Sequence, residues 1–437
     1  MGHFMENKTK KPENKLDDSG KILLEELSHP SLSLKPGGKP KKGSALLIPL
    51  LAIITGLVIG AILIIFTSPE VYAGLKVSFS AGLAAAWGAV ASAYTSLFKG
   101  SIGDPAAIAK AFKTGNTNDI RLAINPILES LVSATPYIFT GLAVALGFRT
   151  GLFNIGVEGQ YYIGAAVATF VGFAVTGLPA YIHMPLAFIC GALGGALWGF
   201  IPGWLKAKTG GHEVINTIMM NWIAINLTSW LLTNGPLQKP DAHGAPISPQ
   251  ILPTAEIPRL FPEPIRFHIG FFIALAVAFL VYWLLFKTSW GFDLRTVGAN
   301  SSAARYAGIN IVRNIILAMI LSGALAGMAG ANQVLGVDHS MSTSVSAGYG
   351  FDSIALALLG NSTPIGVVFA SLLWGILNNG ATQMMRDASI PISIISVIQS
   401  FIIVFIAAPA LIRSIYRIRG AKASDTGVTL SSWGGKS

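Results

Sequence analysis

Long apolar runs separated by polar turns constrain this chain more than any other feature. Residues 46–66, 128–147, 184–205, 214–232, 269–286, 314–335 and 392–412 each approach the roughly 20 residues that a helix needs to cross a bilayer. In lipid the backbone must satisfy its own hydrogen bonds, and a helix does so within one segment. Composition agrees: apolar residues are 52% of the chain and charged residues 11%, against about 25% charged residues in a soluble domain. These observations predict an all-α polytopic membrane protein. The 48 glycines suit closely packed membrane helices.

Taken in order, residues 1–44 are polar and lysine-rich and read as a disordered cytoplasmic tail. The first apolar run starts too late and is too long for a signal peptide. Lys39, Lys41 and Lys42 precede it and place the N-terminus inside. The membrane domain is expected over 45–412. Within 68–122, the stretch 77–98 is rich in Ala, Gly and Ser and is bracketed by Lys76 and Lys99. It is either a further span or an outer surface helix. The outer reading keeps later arginines inside, so 68–122 is assigned as extracytoplasmic.

The second span is 128–147, with Pro136 as an expected kink. Residues 161–176, 184–205 and 214–232 continue as spans. Residues 234–267 are rich in proline and read as an extracytoplasmic loop without regular helix. Spans follow at 269–286 and 314–335; the latter carries Gly323 and Gly327 at a small-xxx-small helix-packing spacing. A short or broken helix at 349–360 and spans at 365–377 and 392–412 bring the total to about ten. Arg413, Arg417, Arg419 and Lys422 then place the tail 413–437 inside.

The polar interval 287–313 reads KTSWGFDLRTVGANSSAARYAGINIVR. Lys287, Arg295, Arg305 and Arg313 are opposed only by Asp293, which makes this a cytoplasmic loop. Ser301 or Ser302 is the expected N-cap of a short helix through Ala303, Ala304, Arg305 and Tyr306, and Gly308 its end. Such a helix is either a solvated connector or a docking knob for a soluble partner.

Sites of chemistry are scarce. The Gly-Lys-Ser at 435–437 has Leu430 where a phosphate-binding loop needs its first glycine. His212-Glu213 is followed by Asn216 where a zinc-protease helix needs its second histidine. Cys190 is the single cysteine, and its apolar setting points to packing. No catalytic, cofactor or metal site is predicted, and the net charge of +10 lies in loops and tails rather than on a nucleic-acid surface. Polar residues in or near the spans say more: Asn154, Glu158, Gln160, Asn216, Asn221, Asn332, Asp352 and Asn378 are the candidates for a translocation pathway. A charge at mid-bilayer costs about 2.5–3.5 kcal/mol or more, so it faces protein or water. Amides offer both donors and acceptors and suit a neutral solute. The plainer alternatives are that Glu158 caps or tethers the 147–156 turn and that the amides join helices.

Four stretches carry a family resemblance: TGLAVALGFRTGLFNIGVEGQYYIGA (140–165), GGHEVINTIMMNWIA (210–224), TVGANSSAARYAGI with LSGALAGMAGA (296–331), and GYGFDSIALALLGNSTPIG (348–366). Together they resemble the permease subunits of bacterial ABC importers in the group for nucleosides, simple sugars and branched-chain amino acids, most of all the nucleoside (guanosine-type) branch. The resemblance runs from about Tyr94 to Ala408. It implies a type II-like permease architecture in a bacterial plasma membrane, with both termini cytoplasmic and no catalysis in this chain. It also implies partners: cytoplasmic ABC ATPases, a second permease (identical or related) and an extracytoplasmic substrate-binding lipoprotein. Residues 296–309 would include the helix that couples to the ATPase, with Arg295, Asn300, Ala303, Ala304, Arg305, Tyr306 and Gly308 as the coupling residues. The long N-terminal tail and the Ala/Gly-rich stretch before Tyr94 depart from the pattern. A sugar permease, or an ion-coupled carrier dependent on Glu158 or Asp352, are the alternatives.

Overall fold

The computed structural model describes residues 42–240, 244–388 and 390–417, so most of both tails lies outside the described residues. One compact unit runs from Ile48 to Tyr416. The chain begins with α1 (Lys42–Thr67), α2 (Pro69–Val77), α3 (Phe79–Ile102), α4 (Pro105–Thr114) and α5 (Thr117–Arg149). Next come α6 (Val157–Ala174), α7 (Ala180–Thr209) and α8 (Glu213–Thr233). After the proline-rich segment lie α9 (Gly270–Lys287), α10 (Ser289–Ala299), α11 (Ser301–Tyr306) and α12 (Ile311–Gln333), which runs into a π turn at Val334–Asp338. The last are α13 (Tyr349–Leu359), α14 (Pro364–Ala388), α15 (Ile392–Ala407) and α16 (Pro409–Ile415).

Among the described residues, 7 helices are long and apolar enough to cross a membrane: α1, α3, α5, α7, α9, α12 with its π turn, and α14. Helices α6, α8, α13 and α15 stand at the remaining expected spans. The protein is an all-α polytopic membrane protein. The stretch 77–98 falls mostly within α3, a single helix of span length. Its small residues let α3 lie close against α14, with Gly100 meeting Gln383 and Gly380 meeting Leu97.

Helix α12 lies at the centre of the larger core. Lipid tails are as apolar as leucine, so little hydrophobic force joins helices; close backbone approach and dispersion must do it. The expected face at Gly323 and Gly327 does this against Gly191, Gly195 and Gly199 of α7. A β-carbon at Gly195 would lie 2.7 Å from Gly327 Cα, and one at Gly199 would lie 3.2 Å from Gly323 Cα. On another side of α12, Gly164 of α6 meets Gly327 and Gly330 meets the Tyr161 carbonyl. A second, smaller core joins α1, α3, α14 and α15 through Ala52, Leu97, Leu377, Ile398 and Ile402.

The segment 234–267 is irregular, as expected, apart from one 3₁₀ turn at Pro253–Ala255. It is nevertheless fastened down. Ile257 N donates to Leu335 O at 2.8 Å, Ile251 N to His339 O at 2.9 Å and Leu252 N to Gly172 O at 2.9 Å. Ile251, Ile257, Ile265 and Phe267 are buried beneath it. His268 closes the segment; burial first, then the nearby His339, Arg259 and Arg266, push its pKa down to about 4, so it is neutral.

Gly195→Val should destabilise the fold by about 1–3 kcal/mol or more, because the added methyl groups meet backbone that cannot yield. Gly88→Ala, where a β-carbon meets nothing within 4 Å, should leave stability unchanged. Thermal unfolding of the two variants in detergent checks both.

Candidate functional site

Helix α5 connects two polar regions of the protein. At its C-terminal end Thr150 is followed by Gly151 at φ 72°, and the chain turns through Asn154 into α6. Asn154 is fully buried. Its Nδ2 donates to Gln160 Oε1 at 2.9 Å and to Ser322 Oγ at 2.8 Å, and its Oδ1 accepts from Gly156 N at 2.9 Å. Ser322 Oγ donates in turn to Ala143 O of α5 at 2.8 Å. From α8, Asn221 accepts from Gly159 N at 2.8 Å and donates to Ile155 O at 2.9 Å. Glu158, buried in the first turn of α6, accepts from Gly350 N of α13 at 2.7 Å. It ties α6 to the positive end of another helix rather than to its own turn.

Four of the eight pathway candidates are thus a buried frame: Asn154, Glu158, Gln160 and Asn221. The other four lie apart. Asn332 is fully buried and its amide has no hydrogen-bond partner among the described residues. Asn216 is half-buried at the start of α8, beside the turn of Glu213, which pairs with Lys206 at 2.8 Å. Asp352 is half-buried and accepts from Tyr137 Oη at 3.2 Å, among the rings of Tyr137, Tyr349 and Trp374. Asn378 lines a polar cavity at the other end of α5.

The 287–313 interval folds as α10 and α11. The N-cap of α11 is Asn300, whose Oδ1 accepts from Ala303 N at 3.0 Å, and not Ser301 or Ser302. Asn300 is extended at φ −160°, so the helix starts one or two residues earlier than expected. Gly308 ends the turn at φ 78°. Ala304 is buried within the chain, while Tyr306 is 95% exposed. Ala303, Arg305 and Tyr306 are all exposed, as are Asn300 and Gly308 at the two ends of the helix. Arg295 lies along the protein instead: its guanidinium sits 5.1 Å from the Phe286 ring centroid.

Helix α10 is pinned to the end of α5. A β-carbon at Gly298 would lie 2.6 Å from Arg149 O. The Arg149 guanidinium lies 5.8 Å from the same Phe286 ring. Its Nε donates to Ser362 O at 2.9 Å and its Nη2 to Asn361 O at 3.0 Å. Both residues hold left-handed backbone, at φ 51° for Asn361 and 49° for Ser362. Non-glycine residues adopt that region at a cost, and it persists where the surroundings enforce it. Arg149 thus joins the α11 side of the protein to the turn between α13 and α14.

Comparison with known proteins identifies the family. The family model described as branched-chain amino acid transport system, permease component, matches residues 126–407. The chain belongs to this family of ABC-importer permeases. It is 40% identical to the guanosine ABC transporter permease of Bacillus subtilis over 378 residues, covering 85% of this chain and 96% of that one. It is 31% identical to a nucleoside ABC transporter permease of Lactococcus lactis, over 88% of this chain and 97% of that one. A glucose ABC transporter permease of Haloferax volcanii is 34% identical over 64% of this chain and 75% of its own. No solved structure matches.

Two residues of this permease escaped sequence reasoning. Arg149 carries no mark in the sequence beyond its charge at the end of an apolar run. Asn379, the neighbour of the candidate Asn378, was not singled out, yet its Nδ2 donates to Gly100 O at 2.9 Å, Pro126 O at 3.0 Å and Ser130 Oγ at 3.1 Å, joining three helices. An Asn next to glycine in an apolar helix was the available signal in the second case.

Arg149→Met should lower stability by about 2–3 kcal/mol, the scale of lost hydrogen bonds from a charged donor. Arg149→Lys should not restore it, because one ammonium cannot reproduce the planar fork on two adjacent carbonyls. Unfolding midpoints of the detergent-solubilised variants check this.

Proposed function

We propose that this permease forms the path for nucleosides in an ATP-binding-cassette importer. The observation that carries the reading is the likeness, over 85% of this chain, to a guanosine permease. The glucose permease of Haloferax volcanii, 34% identical, supports a simple sugar as the second reading. Energy would come from separate cytoplasmic ATPases, with substrate delivered by an extracytoplasmic binding lipoprotein and with a second permease, identical or related, completing the path.

Helix α11 is the docking knob in this reading. Tyr306 and Arg305 project from it, and a large exposed aromatic beside a cation is the usual make-up of an interface anchor. A push on α11 passes through α10 to the close contact of Gly298 with Gly151, and through Arg149 to the turn at Asn361 and Ser362. The domain assignment that goes with it keeps 1–44, 287–313 and 413–437 cytoplasmic, and 68–122 with 234–267 extracytoplasmic.

Uptake of labelled guanosine and uridine by cells with and without this gene tests the substrate, with ribose and leucine as competitors and before and after ATP depletion. The expected result is ATP-dependent nucleoside uptake that leucine does not block; transport of labelled ribose without transport of either nucleoside would move the assignment to sugars. Tyr306→Ala combined with Arg305→Glu should lower uptake roughly tenfold or more at unchanged membrane level, the scale of losing about 1.4 kcal/mol or more of docking energy.

Sidedness has its own test. A reporter fused at residue 80 should signal an extracytoplasmic location. A cytoplasmic signal would make α3 an additional crossing and move the N-terminus to the outer face.

A further inference from the structure

A second polar place lies towards the other end of α5, about 30 Å along the helix from Arg149 at 1.5 Å per residue. Here α3, α4, α5 and α14 surround a cavity of about 620 Å³. That volume is within the roughly 300–1,000 Å³ of small-molecule sites. Its charged walls balance: Lys99, Arg266 and Arg386 face Asp104, Glu129 and Asp387. Most of these are already engaged. Lys99 Nζ lies 2.9 Å from Asp104. Arg266 donates to both oxygens of Glu129, at 3.3 and 2.7 Å. Gln383 Nε2 donates to the Asp387 carboxylate at 3.0 Å.

The amides divide in the same way. Asn379 is occupied in joining α3, α5 and α14. Asn125 and Asn378 are not. Neither side chain has a hydrogen-bond partner among the described residues, and Asn125 Oδ1 is buried without one. Both residues line the cavity, so Asn378 and the Nδ2 end of Asn125 are the amide groups there left to meet a solute. No aromatic ring lines it. A site without a net charge offers nothing extra to an ion, and a site without a ring offers no stacking face to a base.

We propose that this cavity binds a neutral, multiply hydroxylated solute, held by Asn125 and Asn378 through the sugar hydroxyls that all nucleosides share rather than through the base. This rests on the nucleoside reading above and adds where the permease meets the solute and what it reads. The site discriminates little between purine and pyrimidine nucleosides.

The test measures initial uptake of guanosine, adenosine and uridine at subsaturating concentration, by the complete transporter, normalised to the amount of permease in the membrane. The double variant Asn125→Leu, Asn378→Leu keeps side-chain size and removes the amides. Ala107→Trp fills the cavity from an exposed position. Each should lower uptake about five- to tenfold, the scale of one or two lost hydrogen bonds, and by the same factor for all three nucleosides. Unchanged uptake in both variants at equal membrane level overturns the proposal, as does a loss confined to purines or to pyrimidines. If the unaltered transporter carries a sugar and no nucleoside, the substrate reading has failed; a fall in sugar uptake in both variants then upholds the cavity, and no fall overturns it.

Discussion

The contact between α7 and α12 is the constraint on which the rest depends. Gly191, Gly195 and Gly199 face Gly323 and Gly327 with no room for a side chain between them. Once α12 is seated there, Ser322 is fixed, and with it a chain of hydrogen bonds. Ser322 holds Asn154 and the Ala143 carbonyl; Asn154 holds Gln160 and Gly156, at the start of α6. Glu158, two residues on from Gly156, then holds the first turn of α13. In a medium without water each of these groups must find its partner within the protein. The glycine seam makes those partners available by letting the backbones meet.

Outside this frame the two ends of α5 differ in kind. At one end, Arg149, Phe286, Gly151 and Gly298 form a tight joint whose outermost residue, Tyr306, is exposed. At the other, Asn125 and Asn378 line a cavity with carboxamides that have no partner among the described residues. The first arrangement suits the passage of force and the second suits a solute. A single helix bridges them, so a shift at one end is felt at the other without any intermediate loop.

Much of this fold was legible because hydropathy and run length are direct consequences of the bilayer. The glycine face of α12 was legible for a related reason: a small-residue spacing has few other uses in a span. Its partner was not, since residues 191–199 carry no mark that says which helix they meet. The site was harder. Asn154 and Asn378 are the same residue type in similar apolar surroundings, and only packing separates a saturated amide from a free one. Ser301, Ser302 and Asn300 are all good caps, and the backbone angle at Asn300 decided among them. Arg149 was hidden because its partners are carbonyl groups 212 and 213 residues away, and carbonyls leave no trace in a sequence.

Where the protein bends during transport follows from the same physics. Opening the frame would strand several buried polar groups at once, and each stranded group costs about 1–3 kcal/mol. The irregular elements are cheaper places to yield. They are the π turn at Val334–Asp338, the left-handed pair Asn361 and Ser362, and the proline-rich segment that bonds to both Leu335 and His339. π turns inside helices recur at functional positions. None of the three includes a residue of the glycine seam between α7 and α12. The α6–α7–α12 assembly, with α13 held to it by Glu158, is therefore expected to move as a rigid body, with α14 shifting against it about the 361–362 turn that Arg149 grips.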